Sequence, residues 1–212
     1  VVIDKATFPR DKICCDGLTT GALRQLEALG LDPADVASWQ DASRCWIRSP
    51  AGPTQCYPLP SGAGRFAAIA TRVDLDAALV DLTRKAYVDV LYGHALVAAH
   101  EDDSGVTVEA EGLGPIRARW VVAADGMWSP MRKQLGVTVD GYRGEWHAFR
   151  QYVSNVGPLA AKDLYISFEA DLVPGYLWSF PLPDGRANIC FGIQRGGAHA
   201  IQDMKALWPD LL

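Results

Sequence analysis

No apolar run in the 212 residues approaches the roughly 20 that a membrane-spanning helix needs, so a helical span is excluded. Positive charge is in deficit, with 20 Lys and Arg against 25 Asp and Glu and a net charge of −5. The basic residues are scattered and form no stripe that could replace the counterions of a nucleic acid, which excludes that partner. Cysteine is sparse and odd in number: Cys14 and Cys15 are adjacent, while Cys45, Cys56 and Cys190 stand apart. Five thiols build no disulfide framework in a chain this long, and none shows the C-x-x-C spacing of a zinc site. Reduced thiols in a cytoplasmic compartment are the simplest reading. The four histidines, His94, His100, His147 and His199, are dispersed, so no metal site is expected. Repeats and low-complexity stretches are absent. The opening Val1-Val2-Ile3-Asp4-Lys5 has neither an initial Met nor a basic stretch leading into an apolar one, so it is not a signal peptide. The first residue already lies in a strand-like run, and an upstream segment is expected.

What is present is an ordinary globular composition, 49% apolar and 21% charged, enough for one large core or two modest ones. Val1 to Asp4 reads as a short β-branched strand ending in an acid. Thr19 or Thr20 caps a helix with Leu23, Leu26 and Leu29 on its apolar face and Gly30 at the left-handed stop. Ser43 to Ser49 and Gln55 to Leu59 flank Pro50-Ala51-Gly52-Pro53 as a hairpin. Arg72 starts an amphipathic helix bearing Leu75, Leu79, Leu82 and Ala86. Val88 to Leu91, Leu96 to Ala99, Val106 to Val108 and Ile116 to Ala124 read as strands, with a turn at 101–105. Ser129-Pro130 opens a short helix. Past Gly136 helical patterns give way to strand-like runs at Trp146 to Val153, Leu164 to Phe168, Tyr176 to Phe180 and Ala187 to Ile193. A domain boundary is expected near residue 137.

Several residues stand where chemistry is expected. An acid at a strand end, Asp4, suits hydrogen bonds from ribose hydroxyls in a dinucleotide-binding fold, although G-x-G-x-x-G does not occur in the chain. In the loop Phe8-Pro9-Arg10-Asp11-Lys12-Ile13-Cys14-Cys15-Asp16-Gly17-Leu18, Gly17 permits close backbone approach and Arg10 can hold an anion. Arg72 is a cation at a helix start, unfavourable against the helix dipole unless an anion lies nearby. Trp120-Val121-Val122-Ala123-Ala124-Asp125-Gly126, followed by Ser129 and Arg132, is a strand–Asp–Gly–helix junction. Tyr176, Trp178 and Phe180 alternate along a strand and form an aromatic wall suited to an apolar ligand.

Four of these segments, in order, resemble the geranylgeranyl-reductase branch of the para-hydroxybenzoate-hydroxylase-like flavoproteins. The loop from Phe8 to Leu18 is similar to FPR-x-K-x-C-G-D-G-L, Arg72 to Leu79 to R-x-x-L-D-x-x-L, and Ala124 to Arg132 to A-D-G-x-x-S-x-x-R. Pro174 to Pro181, with Asn188 and Gly192, resembles Y-x-W-x-F-P. The chain departs at Cys15 and Cys190, where the family usually has Gly, and at Leu182, where it has Lys.

The resemblance implies α/β and α+β architecture: a glutathione-reductase-like FAD-binding domain interleaved with an antiparallel β-sheet substrate domain. Residues 1–42 and 72–137 would form the first, lacking its glycine-rich loop and a later G-D motif, and 43–71 and 138–212 the second. It implies FAD as cofactor, with NAD(P)H or another donor supplying electrons. Asp4, Arg10, Cys14, Gly17, Arg72, Leu96, Asp125 and Gly126 would bind FAD, with Leu96 on the adenine. Tyr176, Trp178 and Phe180 would line the site of a small apolar substrate, and Cys14 would be the catalytic proton donor. The implied activity is hydride transfer from reduced flavin to carbon–carbon double bonds of an isoprenoid chain. Two alternatives stay open: a flavin monooxygenase or halogenase acting on an aromatic or polyketide-like substrate, and a non-catalytic fragment that binds no flavin. A soluble location leaves room for peripheral membrane contact.

Overall fold

The structure, a computed structural model, describes residues 1–62 and 64–212, so Ala63 within the expected 43–71 segment lies outside the described residues. In chain order the first half runs β1 (Val2–Asp4), β2 (Gly17–Thr19), α1 (Thr20–Ala28), β3 (Gln40–Asp41), β4 (Arg44–Arg48), β5 (Thr54–Pro58), β6 (Ala67–Ile69) and α2 (Arg72–Lys85). The middle adds β7 (Val90–Tyr92), β8 (Leu96–Asp102), β9 (Gly105–Ala110), β10 (Ile116–Ala118) and α3 (Pro130–Gln134). The remainder is β11 (Trp146–Val153), β12 (Leu164–Ser167), β13 (Tyr176–Pro181), β14 (Ala187–Gln194) and α4 (Met204–Leu211). The class is mixed α/β with antiparallel sheets. Two compact units result, Val1–Arg10 with Val80–Arg143, and Asp11–Leu79 with Gly144–Leu212. The boundary therefore runs through α2, and residues 11–42 and 72–79 group with the sheet-rich second unit.

In the first unit β1 pairs in parallel with β7, Ile3 opposite Leu91. Separately, β8, β9 and β10 form an antiparallel meander. Ala99, Val108 and Met131 of α3 make its small core, with Leu96 and Val106 packed alongside. The strand expected over Ile116 to Ala124 stops at Ala118. Beyond it the backbone has no ladder partner among the described residues, so apolar pattern alone cannot hold an extended strand. Trp120 and Val122 are 78% and 88% exposed in consequence.

The second unit is built on a six-stranded sheet in the order β11-β14-β13-β12-β4-β5, antiparallel except where β12 runs parallel to β4. One face carries Leu177, Ile189, Phe191 and Ile193, which pack on Met204 and Trp208 of α4. That helix corrects the expectation that helices cease after Gly136. Met204, Leu207, Trp208 and Leu211 repeat at helical spacing, and Pro209 sits in the closing turns. The expected helix at residues 20–28 is present, capped by Thr19 Oγ1, which accepts from the Ala22 N–H. Gly30 follows at φ +80°. Only Leu23 of its apolar set is fully buried, since Leu29 falls at the cap and is exposed.

Candidate cofactor and substrate site

In the first unit the strand-end acid is held locally. One Asp4 oxygen accepts from the Ala6 N–H at 2.8 Å, and the other lies 3.7 Å from the Arg10 guanidinium. Arg10 in turn stands 4.5 Å over the Phe8 ring, which contacts Tyr92. Leu96 belongs to the meander's core rather than to an open surface. Asp125 Oδ2 accepts from the Met131 N–H at 2.9 Å, while Ser129 Oγ accepts from the Arg132 N–H, so two side chains satisfy the free donors of α3. Partial burial opposes the Asp125 charge, but the bonds from Ser129 and Met131 outweigh it and hold the carboxyl below its usual range. Gly126 turns the chain at φ +84°. Asp125, Gly126, Met127, Ser129 and Arg132 line a recess of about 280 Å³ with Ala123 and Tyr142. Its size is near the lower end of cofactor sites.

In the second unit the sheet face opposite α4 is half open. Tyr176, Trp178 and Phe180 lie on it, alternating with the buried Leu177, Ser179 and Pro181. Tyr176 contacts both Trp178 (4.9 Å between centroids) and Phe168 (5.5 Å), while Phe180 packs beside Gly17 and the Ile69, Leu164 and Leu182 cluster. Register sets Gly192, Cys190 and Asn188 of β14 opposite these three, and Ala148, Arg150 and Tyr152 of β11 opposite those.

A polar centre sits on this same face. Asp16 is 2% exposed and held at φ +62°, a conformation Asp tolerates better than most side chains. Its carboxylate accepts from the Asn188 Nδ2 (2.7 Å), the Tyr152 hydroxyl (2.8 Å) and the Arg72 backbone N–H (3.2 Å). Burial dominates and raises the Asp16 pKa, with the three donors opposing. Desolvation and the neighbouring Asp16 push the Tyr152 phenol up as well. Asn188 Nδ2 also donates to the Cys14 carbonyl at 3.1 Å. Arg72 donates twice to Asp76, at 2.7 and 2.9 Å, and interacts with the Cys14 thiol. The anion needed beside a cation at the helix start is thus present in the helix itself. Arg150 pairs with Asp11 at 2.8 Å and lies 4.4 Å over the Tyr152 ring. Gly17 is close-packed: a Cβ there would sit 2.5 Å from Phe180 Cε2.

Cys14, Gly17, Arg72 and the aromatic triplet therefore fall in one unit, and Asp4, Arg10, Leu96, Asp125 and Gly126 in the other. Sequence reasoning did not single out Asp16, Arg150 or Tyr152. The Cys15-Asp16-Gly17 run carried the only signal, an acid poised before a glycine.

A family model described as FAD binding domain matches residues 1–163. The chain belongs to the FAD binding domain family. Among its relatives is menaquinone reductase of Mycobacterium tuberculosis (strain ATCC 25618 / H37Rv), 33% identical over 91% of this chain and 48% of that protein. Digeranylgeranylglycerophospholipid reductase 2 of Methanopyrus kandleri is 31% identical over 96% of this chain and 50% of the relative. The geranylgeranyl bacteriochlorophyll reductase-like structure from Thermoplasma acidophilum superposes with TM-score 0.80 at 21% identity, over 99% of this chain and 54% of that one. The halogenase PltM with phloroglucinol and FAD gives TM-score 0.76 at 18% identity, over 99% and 50%. The last two establish fold alone. The chain spans about half the length of the curated relatives it matches.

Proposed function

We propose that this chain is the FAD- and substrate-facing part of a flavin-dependent oxidoreductase that saturates carbon–carbon double bonds in an isoprenoid chain. The observation that carries the reading is the half-open run of Phe168, Tyr176 and Trp178, with Phe180 packed at its inner end. Such a surface suits a long apolar substrate and excludes water from it. The relatives named for menaquinone and for digeranylgeranylglycerophospholipid support this, because both molecules carry isoprenoid chains.

The residues present fit FAD. The recess at Asp125 and Gly126 combines a carboxylate for hydroxyls, a guanidinium at Arg132 and a glycine turn that lets the cofactor approach the backbone. Asp4 and Arg10 would hold further polar groups of the same cofactor, with Leu96 on the adenine. In the second unit, Cys14, Gly17 and Arg72 are the residues that the family resemblance assigns to cofactor binding. FAD, when bound, supplies the electron pair, drawn in turn from NAD(P)H or another donor. Saturating a double bond also needs a proton, and Cys14 Sγ, beside the Arg72 guanidinium, is the side chain assigned to deliver it. The reading is of a cytoplasmic enzyme meeting its substrate peripherally at a membrane.

The test uses purified protein, chemically reduced under anaerobic conditions, with a prenyl substrate. Saturation of the double bond without oxygen is expected, and Trp178→Ala should lower turnover or apparent affinity by about tenfold or more while flavin is retained. Strict oxygen dependence with a hydroxylated or halogenated product would overturn the reductase reading in favour of a monooxygenase or halogenase.

A further inference from the structure

Three of the five thiols gather at one end of the polar centre, and two of them touch. Cys15 Sγ and Cys190 Sγ are 2.9 Å apart across a chain separation of 175 residues. That is closer than an unforced contact of two sulfurs and within an ångström of a disulfide bond, about 2.05 Å. We propose that Cys15 and Cys190 form a reversible dithiol–disulfide pair that, on oxidation by peroxide, clamps the Cys14–Gly17 loop covalently to β14.

The two sulfurs are differentiated as an attacking and a resolving thiol require. Cys15 is half-buried and reachable by a small oxidant, whereas Cys190 is fully buried in mid-sheet between Arg150 and Trp178. The hydrogen bond from Cys190 lowers the Cys15 pKa most; burial opposes it, Trp178 adds to the lowering, Asp16 works against it and Arg150 supports it. Cys190 is pushed up, first by the same bond and then by burial, so it keeps its proton. Cys14, although adjacent to Cys15, engages Arg72 instead, and its carbonyl is held by Asn188. Neither Cys45 nor Cys56 lies on these strands.

The chemistry closes without a further reactant. Cys15 thiolate attacks one oxygen of hydrogen peroxide, the O–O bond breaks, and hydroxide leaves as the sulfenic acid forms. Cys190 then attacks the Cys15 sulfur, the S–S bond forms, and the sulfenic oxygen leaves as water with the Cys190 proton. Two thiols are oxidised by two electrons, peroxide is reduced to two waters, and a small dithiol reverses the bond by exchange. The crosslink lies beside Asp16–Asn188, so it reinforces the contact on which the loop's position depends.

The experiment treats reduced, desalted protein with one equivalent of hydrogen peroxide, alkylates it, digests it and maps the peptides by mass spectrometry. The expected result is a Cys15–Cys190 linked peptide that disappears with dithiothreitol, persists in Cys14→Ser, and is lost in Cys15→Ser and Cys190→Ser. The oxidised protein should melt several degrees above the reduced form, because the link closes a very long loop. A Cys14–Cys15 link, a Cys14–Cys190 link, or Cys15 sulfinic acid with Cys190 unmodified would overturn the proposal. An unchanged melting temperature in linked protein would overturn the clamp. The wild-type peptide map is informative even where a serine variant fails to fold, and it is independent of any assigned substrate.

Discussion

The two units hold their motif residues by opposite means. In the first, the two motif acids bond close to home: Asp4 to Ala6 two residues away, Asp125 to Met131 six away. Its buried core is small, Ala99, Val108 and Met131, and Trp120, Val122 and Trp128 stand largely in solvent. In the second, Asp16 reaches Tyr152 and Asn188 across 136 and 172 residues, and Phe191 and Asn188 are wholly buried. Local bonds shape a loop at little cost, whereas long-range bonds are made only once the sheet is complete. The difference teaches that the first unit carries recognisable motifs on a lightly secured frame, and the second carries the cohesion.

The strongest way to break that contrast is Phe191→Ala. The ring is 0% exposed, between Phe149 and Trp208 at centroid distances of 6.0 Å each. Removing it leaves a void in a sheet face that cannot collapse, and a loss of about 3–5 kcal/mol is expected in urea unfolding followed by tryptophan fluorescence. A loss under about 1 kcal/mol would mean that cohesion lies elsewhere.

Legibility in the sequence follows the same division. The helices at residues 20–28 and 72–85 and the hairpin strands came through because caps, spacing and turn residues are local signals. Asp125 and Gly126 were singled out from a signal of the same local kind, the Asp–Gly turn before Ser129-Pro130. Asp16, Tyr152 and Arg150 were not, because no periodicity reports which distant strands will meet at one carboxylate. Cys15 and Cys190 show the point sharply: each is a separate departure from the family pattern, and only the fold makes them neighbours. The strand expected through Ala124 failed oppositely, since a local β-branched run cannot supply its own ladder partner.

Asp16→Asn sharpens the comparison at its polar centre. Asn tolerates the positive φ, but one carboxylate oxygen becomes an NH₂ that faces an existing donor. A loss of about 1–3 kcal/mol is expected at low pH. The folded Asp16 pKa is raised above 3.8, so its contribution is complete below the unfolded value and is lost as pH rises through the folded one. The stability gap between wild type and variant should therefore narrow as urea titrations move from about pH 4 to pH 7. A gap that widens with pH would show that the donors outweigh burial.

Asp125→Asn tests the other aspartate, where the sign reverses and the effect is smallest. The side chain is exposed, and its partners are the Met131 N–H and Ser129 at the start of a five-residue helix. An amide can still accept one of these bonds, and water screens the lost charge, so about 0.5–1 kcal/mol is expected. The folded pKa is depressed, so this contribution is present above the unfolded value and lost as pH falls through the folded one. The gap between wild type and variant should stay level from neutrality down to about pH 4 and close only below it. Because the bonds are local, the loss should appear as faster amide exchange confined to residues 125–134, with the second unit's protection unchanged. Exchange that accelerated in β14 as well would show that the two units share one cooperative structure, and the contrast between local and long-range holding would fail at its weaker end.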